Sequence, residues 1–259
     1  MSQENKALVI LSGGQDSTTC LHWAFRQFGK ENVDAVTFDY KQKHSREIEC
    51  ARSLCIKHNV AHTIVEMPKL EGTSPLTGGS ELGKYERIED LPGGVEPTFI
   101  PGRNIIFLAL SSNIAGARSI DHLVTGVCQA DFGGYADCRE VFIRDMEQAL
   151  NLGLGRWDVC KDDNKKYETL PGQNTLNIDT PLMYLTKRQT VFLAKELGKE
   201  CWEDLAWSHT CYEGTEKPCC KCHACWLRVR GFIEAGYNDP LLDRYGIDIN
   251  EVYNSIKGV

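Results

Sequence analysis

Apolar and polar positions along this chain fall into blocks whose period switches between strand and helix. Ala7 to Leu11 is an unbroken apolar run, short enough to be a strand buried on both faces. A helical pattern follows it through Phe28. Val33 to Asp39 and His62 to Met67 are further strand-like runs. Between them, Ser45 to His58 places Ile48, Ala51 and Cys55 on one stripe, as an amphipathic helix does. His122 to Val127 predicts another strand and Arg139 to Leu150 another helix. Thr186 to Leu197 predicts a helix with Thr186 as N-cap and Gly198 as its stop. Asn104 to Gly116 is apolar on nearly every side, which predicts a helix buried all round. Leu70 to Thr98 is rich in Gly and Pro and lacks periodicity; a connection of that length predicts a lid or binding loop. Trp157 to Gln173 is dense in charge and reads as a surface insertion.

Alternating strand and helix signals predict an α/β fold: a doubly wound, mostly parallel sheet with helices on both faces. The expected division is an α/β domain over residues 1–200 and a small helical, metal-binding region over 201–259. Ligands of such sheets bind outside the C-terminal strand ends. Segments 12–18, 39–46, 99–104 and 128–139 fall there, or beside the apolar helix, and are expected to share one site.

The first of these segments carries the sharpest chemistry. The strand from Ala7 breaks into Ser12-Gly13-Gly14-Gln15-Asp16-Ser17-Thr18, and a helix starts at once. Adjacent glycines let backbone N–H groups approach a ligand closely. Ser12, Ser17 and Thr18 add hydroxyl donors, and the helix N-terminus favours an anion at the same place. Together they form a phosphate cradle. Neither the dinucleotide pattern G-x-G-x-x-G nor the Walker pattern with its lysine is present, which argues against hydride and γ-phosphoryl transfer.

The second strong signal is Cys211-x7-Cys219-x2-Cys222-x2-Cys225. Thiolates at these spacings can wrap one ion, and four of them make a closed, structural Zn²⁺ site. His209 and His223 are alternative ligands, and Cys220 is a fifth thiol beside them. With twelve cysteines and a polar start at Met1 to Lys6, a reducing, cytoplasmic setting is expected. A net charge of −7 over 259 residues gives no bulk attraction for nucleic acid, so direct nucleic-acid binding is not expected.

The stretch SGGQDSTTCL at 12–21 resembles the pyrophosphate loop of the N-type ATP pyrophosphatases, which cleave ATP to AMP and pyrophosphate. Together with VTFDY at 36–40, FIPGRNIIFL at 99–108, TGVCQADFGGYADCR at 125–139, TPLMYLTK at 180–187 and TCYEG before the cysteines, the chain resembles the 7-cyano-7-deazaguanine synthases. The resemblance implies an adenine nucleotide α-hydrolase-like fold and ATP-dependent carbon–nitrogen ligation in queuosine biosynthesis. It implies 7-carboxy-7-deazaguanine, ATP with Mg²⁺, and ammonia as substrates, one structural zinc, and a homodimer. In that chemistry the carboxylate and then the derived amide are activated as adenylates.

Carried onto this chain, Leu11, Ser12, Gly13, Gly14, Gln15, Asp16, Ser17, Thr18, Thr19, Cys20, Leu21 and Asp39 are expected to meet ATP. Ser12, Asp16, Ser17, Arg103 and Lys187 are expected to support the reaction. Arg103, Asp131, Phe132, Tyr135, Asp137 and Arg139 are expected to hold the deazapurine. Asp16 has the alternative role of capping its helix, and Lys187 that of an ordinary first-turn lysine. The chain departs from the family pattern at Lys41 and Cys220, where glycine is usual, and at Gly133 and Ala136. The same scaffold would also suit an enzyme that passes the activated carboxylate to an amine on a protein or nucleic acid. Another tRNA-modifying enzyme of the same loop family is the remaining alternative.

Overall fold

Leu8 points to one side of the sheet, while Ala7 and Val9 point to the other, and all three are fully buried. That two-sided burial is why the opening run is apolar throughout rather than alternating. The computed structural model describes residues 5–42, 45–79, 81, 83, 96–129, 134–156 and 175–257. Among them, β1 (Ala7–Ile10) is followed by α1 (Gln15–Phe28), β2 (Val33–Asp39), α2 (Ser45–His58) and β3 (Ala61–Glu66). Then come α3 (Arg103–Arg118), β4 (His122–Val124), α4 (Glu140–Gly153) and β5 (Asn177–Asp179). The rest is helical: α5 (Lys187–Glu196), α6 (Lys199–Leu205), α7 (His223–Ala235), α8 (Pro240–Arg244) and α9 (Ile249–Lys257).

The strands pair in the order β3-β2-β1-β4-β5, every pair parallel. The order reverses beside β1, so a crevice opens between the C-terminal ends of β1 and β4. Leu8, Val36, Phe38, Leu108, Leu123 and Ile143 fill the face under α3 and α4. Val9, Ala35, Leu21, Ala24 and Leu54 fill the face under α1 and α2. A third apolar cluster runs across position 200, with Val191 and Ala194 of α5 packed against Trp226, Val229 and Phe232 of α7. The expected cap of α5 is present as a reciprocal box: Thr186 accepts from the Gln189 N–H, and the Gln189 side chain accepts from the Thr186 N–H.

Two expectations need correction. Helix α3 is not buried all round: Leu108, Ser111, Ser112 and Ala115 are buried, but Ile105 is 47% exposed. One face packs on the sheet and the opposite apolar face is open. The strands at His122 and His62 are also displaced or shorter, because pairing ends at Val124 and Glu66. The charged run 157–173 and most of the expected lid between 80 and 95 lie outside the described residues.

A buried polar knot ties three helices together. Asp204 of α6 is fully buried, and its carboxylate meets His22 Nε2 of α1 at 2.8 Å. It also meets His58 Nε2 and Lys57 Nζ of α2 at 2.5 Å each. Burial opposes ionisation of Asp204, but these partners outweigh it and hold the carboxyl well below its ordinary 3.8. We expect Asp204→Asn to cost about 3 kcal/mol, read from urea midpoints at neutral pH, because donors lose a charged acceptor inside the protein. A depressed carboxylate contributes fully above its unfolded value and loses that contribution only as pH falls through the folded one. The wild-type advantage should therefore be flat above about pH 5 and shrink at lower pH. An advantage that grows on acidification would contradict this assignment.

Lys41 and Cys220, where the resemblance leads one to expect glycine, both sit in the left-handed region, at φ 60° and 56°. A glycine would adopt this backbone without strain. Left-handed strain of about 1–2 kcal/mol is partly offset by glycine's greater freedom when unfolded. Lys41→Gly should stabilise by about 0.5 kcal/mol, seen as a small rise in urea midpoint.

Candidate active site

The crevice holds a cavity of about 310 Å³, within reach of a small-molecule site. All four segments singled out from the sequence border it. Ser12, Asp16 and Ser17 come from the β1–α1 loop, and Tyr40 and Gln42 from the end of β2. Arg103 and Asn104 open α3, and Gln129, Gly134, Tyr135 and Arg139 close the ring.

The loop is held without a side-chain cap at Gly14, so the first turn of α1 is left open toward an anion. Its donors are paired internally for the moment. The Gly13 N–H donates to Ser17 Oγ at 3.2 Å and the Gly14 N–H to Ser12 Oγ at 3.3 Å. These long bonds are ones that phosphate oxygens can replace. Three polar atoms of the same turn are buried with no hydrogen-bond partner among the described residues: Gln15 Nε2, Asp16 Oδ1 and Thr18 Oγ1. Asp16 is the one of these that lines the cavity, where a ligand can supply the missing partner.

Gly13 is required by space as well as by conformation. It has φ +91°, and a Cβ there would lie 2.1 Å from the Glu47 carbonyl oxygen. The other carboxylate oxygen of Asp16 is 2.6 Å from Lys187 Nζ. Gly231 of α7 permits this: a Cβ there would lie 2.8 Å from that of Lys187. The glycine lets α7 pack close to the start of α5, where Lys187 reaches the loop.

The expected ATP contacts divide by helix geometry. Leu11, Ser12, Asp16 and Ser17 line the cavity. Thr19 bonds back to the Gln15 carbonyl, and Cys20 and Leu21 are packed into the core under α1. Their positions on the helix turn them from the cavity toward the sheet. Asp39 does not line the cavity either; its carboxylate accepts from the Lys41 N–H at 2.9 Å.

The expected ring-binding group also divides. Tyr135 and Arg139 line the cavity. Asp137 does not; it accepts from the Asn104 N–H at the start of α3, at 3.2 Å, so it fixes Arg103 and its neighbour rather than facing the cavity. Asp131 and Phe132 lie outside the described residues. Arg103 is surrounded by Tyr40, Tyr135 and Tyr212. Burial alone would lower its pKa, but these neighbours more than offset that and hold the guanidinium above its ordinary value.

Several cavity residues lie outside the expected set, and Glu47, Tyr212, Phe107 and His223 bear most on its chemistry. Glu47 lies on the first turn of α2, and burial pushes its carboxyl up to about 8 against the pull of Arg103. Tyr212 follows the first cluster cysteine, and burial holds its phenol well above the ordinary value. Phe107 stacks on Phe38 with ring centroids 4.3 Å apart and forms a flat apolar wall. His223 meets buried Glu96 at 3.5 Å. Only Glu47 had a legible signal, as an acidic residue in the first turn of a helix that follows a strand end.

The four cysteines converge. Single sulfur atoms from Cys211, Cys219, Cys222 and Cys225 lie within 4.8 Å of one another, and His209 and His223 are not part of the group. Backbone N–H groups of Cys219, Lys221 and Cys222 point at cluster sulfurs at 3.3–3.4 Å, as they do around thiolates. Hydrogen bonds from the other three thiols hold Cys211 below the ordinary thiol range. The group can therefore hold a metal ion, and all four donors being sulfur leaves no position for a substrate. Cys220 is outside it, with its sulfur near the Pro218 carbonyl.

Comparison with known proteins agrees with this geometry. A family model described as queuosine biosynthesis protein QueC matches residues 6–236. A 7-cyano-7-deazaguanine synthase of Gloeobacter violaceus is 47% identical over 239 residues, 91% of this chain and 95% of that protein. Those of Chromobacterium violaceum and Laribacter hongkongensis are 44% and 42% identical, over 94% and 92% of this chain and 95% and 94% of theirs. A chain with this loop, this cavity and this cysteine group, matched over nearly its whole length, belongs to the QueC family of queuosine biosynthesis proteins.

Proposed function

We propose that this chain is a 7-cyano-7-deazaguanine synthase that converts 7-carboxy-7-deazaguanine, ATP and ammonia to the nitrile. The observation that carries the reading is the open, part-unpaired first turn of α1 facing the same cavity as Arg103 and the aromatic wall. A carboxylate oxygen of the substrate attacks the α-phosphorus of ATP, and pyrophosphate leaves into the cradle. Ammonia attacks the acyl carbon, AMP leaves, and the nitrogen loses a proton, giving the amide. The amide oxygen then attacks a second ATP, again releasing pyrophosphate. Loss of AMP and of both remaining N–H protons leaves the nitrile.

In this reading the Gly13 and Gly14 amides, with Ser12 and Ser17, take the negative charge that grows on pyrophosphate. Lys187 compensates Asp16, and the unpaired Asp16 oxygen suits the Mg²⁺ that accompanies ATP. The four cysteines suit one zinc ion with a structural role. No helix among the described residues is long and apolar enough to cross a membrane.

Purified protein given 7-carboxy-7-deazaguanine, ATP, Mg²⁺ and ammonium should form AMP, pyrophosphate and the nitrile, identified by mass spectrometry. Release of ADP without AMP sinks the adenylation mechanism. An amide that never becomes nitrile favours delivery to another amine. Asp16→Ala should lower kcat/KM for AMP release by about 10²–10³-fold while the protein keeps its metal.

Metal analysis should find one zinc per chain. Cys222→Ser should lose it and show a lower thermal midpoint, since binding and local folding are coupled. A Cys222→Ser protein with a full zinc equivalent would show that the ligand set is different.

A further inference from the structure

Glu47 lines the cavity, yet its carboxylate makes no hydrogen bond or ion pair among the described residues. It is held in place by backbone instead. Its own carbonyl oxygen fills the space that a Cβ on Gly13 would occupy, so the first turn of α2 cannot withdraw without opening the loop contact. Arg103 faces the same cavity from the first turn of α3. The two groups sense each other's charge but are not paired. Tyr40 and Phe107 wall the same space, and Phe107 is braced flat against Phe38.

A carboxylate set in such surroundings without donors is costly unless a ligand brings them. The ligand that fits is a flat ring offering neighbouring N–H donors to Glu47 and a carbonyl acceptor to Arg103. A 2-amino-4-oxopyrimidine edge is such a ring edge: the exocyclic amine and the ring N–H donate side by side, and the carbonyl next to them accepts. We propose that Glu47 and Arg103 read this edge of the deazaguanine. The Glu47 oxygens accept from the ring N–H and the exocyclic amine. Arg103 donates to the ring carbonyl and to the adjacent 7-carboxylate, which a planar guanidinium reaches together because both lie on the same side of the fused ring. Asp137, one of the carboxylates that the sequence suggested for this edge, is instead spent on the start of α3. This assignment rests on the deazaguanine reading above.

The test is calorimetric binding to the full, zinc-loaded protein without ATP. The two ligands are 7-carboxy-7-deazaguanine and its analogue lacking the 2-amino group. Wild type should bind the parent at least about tenfold more tightly, because the analogue leaves a buried acceptor unpaired. Glu47→Gln should bring that ratio close to one. Equal binding of the two compounds by wild type overturns the proposal, and no variant needs to fold for that result. A folded, metal-replete Glu47→Gln protein that keeps the full preference overturns it as well. Preference that depends on Glu47 supports the assignment even if the turnover assay shows no AMP, a result that would remove the synthase reading alone.

Discussion

The turn after β1 has no room for a side chain at Gly13. The Glu47 carbonyl stands where a Cβ would be, the Ala51 N–H is 2.9 Å from the same point, and the backbone is in a region that L-residues rarely adopt. This contact places α2 directly on the turn. It sets where α1 begins, so it sets where the helix N-terminus aims its partial charge. It also carries Glu47 into the cavity. One steric constraint thus couples the phosphate end of the site to the ring end.

The turn is held from the other side as well. The His209 N–H donates to the Gly13 carbonyl at 2.8 Å, and Thr210 Oγ1 accepts from the Gln15 N–H at 3.5 Å. Thr210 and Ser208 are in turn fixed by Arg228, whose guanidinium is paired with buried Asp239 at 2.7 and 2.8 Å. Cys211, the first cluster cysteine, is the next residue along, and Tyr212 after it enters the cavity. The cysteine group is therefore not a remote appendage. It anchors the strand of chain that presses on the phosphate loop and delivers one wall of the site. A metal ion held by all four sulfurs would suit that task, because it would add rigidity and leave no open coordination position.

Local signals were legible in the sequence wherever a short segment does its work alone. The β1 run, the Gly-Gly turn, the Thr186 cap and the cysteine spacing all encode structure within a few residues. The failures are of another kind. Cys20 and Leu21 sit inside the loop motif, but the 3.6-residue period turns them to the core. Asp137 has the chemistry of a ligand-reading carboxylate, but a helix start 33 residues earlier in the chain claims it. Ile105 belongs to an apolar run and is left exposed, because one sheet face can cover only one side of a helix. Tyr212 and His223 reach the cavity through packing between segments far apart in the chain, which no local pattern records.

The site draws its two ends from different elements, and this bears on how one cavity can serve both halves of the proposed reaction. In the proposed reading the phosphate end is the β1–α1 turn, with Lys187 of α5 paired to its Asp16. The ring end proposed here is formed by the first turns of α2 and α3, Tyr135 and Tyr212, which line the same cavity. In the proposed reading the groups assigned to pyrophosphate are not those assigned to the ring, which would let spent nucleotide leave and fresh ATP enter while the ring stays bound. Both activated species are O-adenylates on the same ring carbon substituent, and each needs its oxygen aimed at the same α-phosphorus. In the proposed binding mode, the contacts of Glu47 and Arg103 to the ring edge do not change as carboxylate becomes amide, so they keep that aim constant even though Arg103 also meets the changing substituent. The constraint at Gly13 supplies the fixed distance between the two ends on which that aim depends.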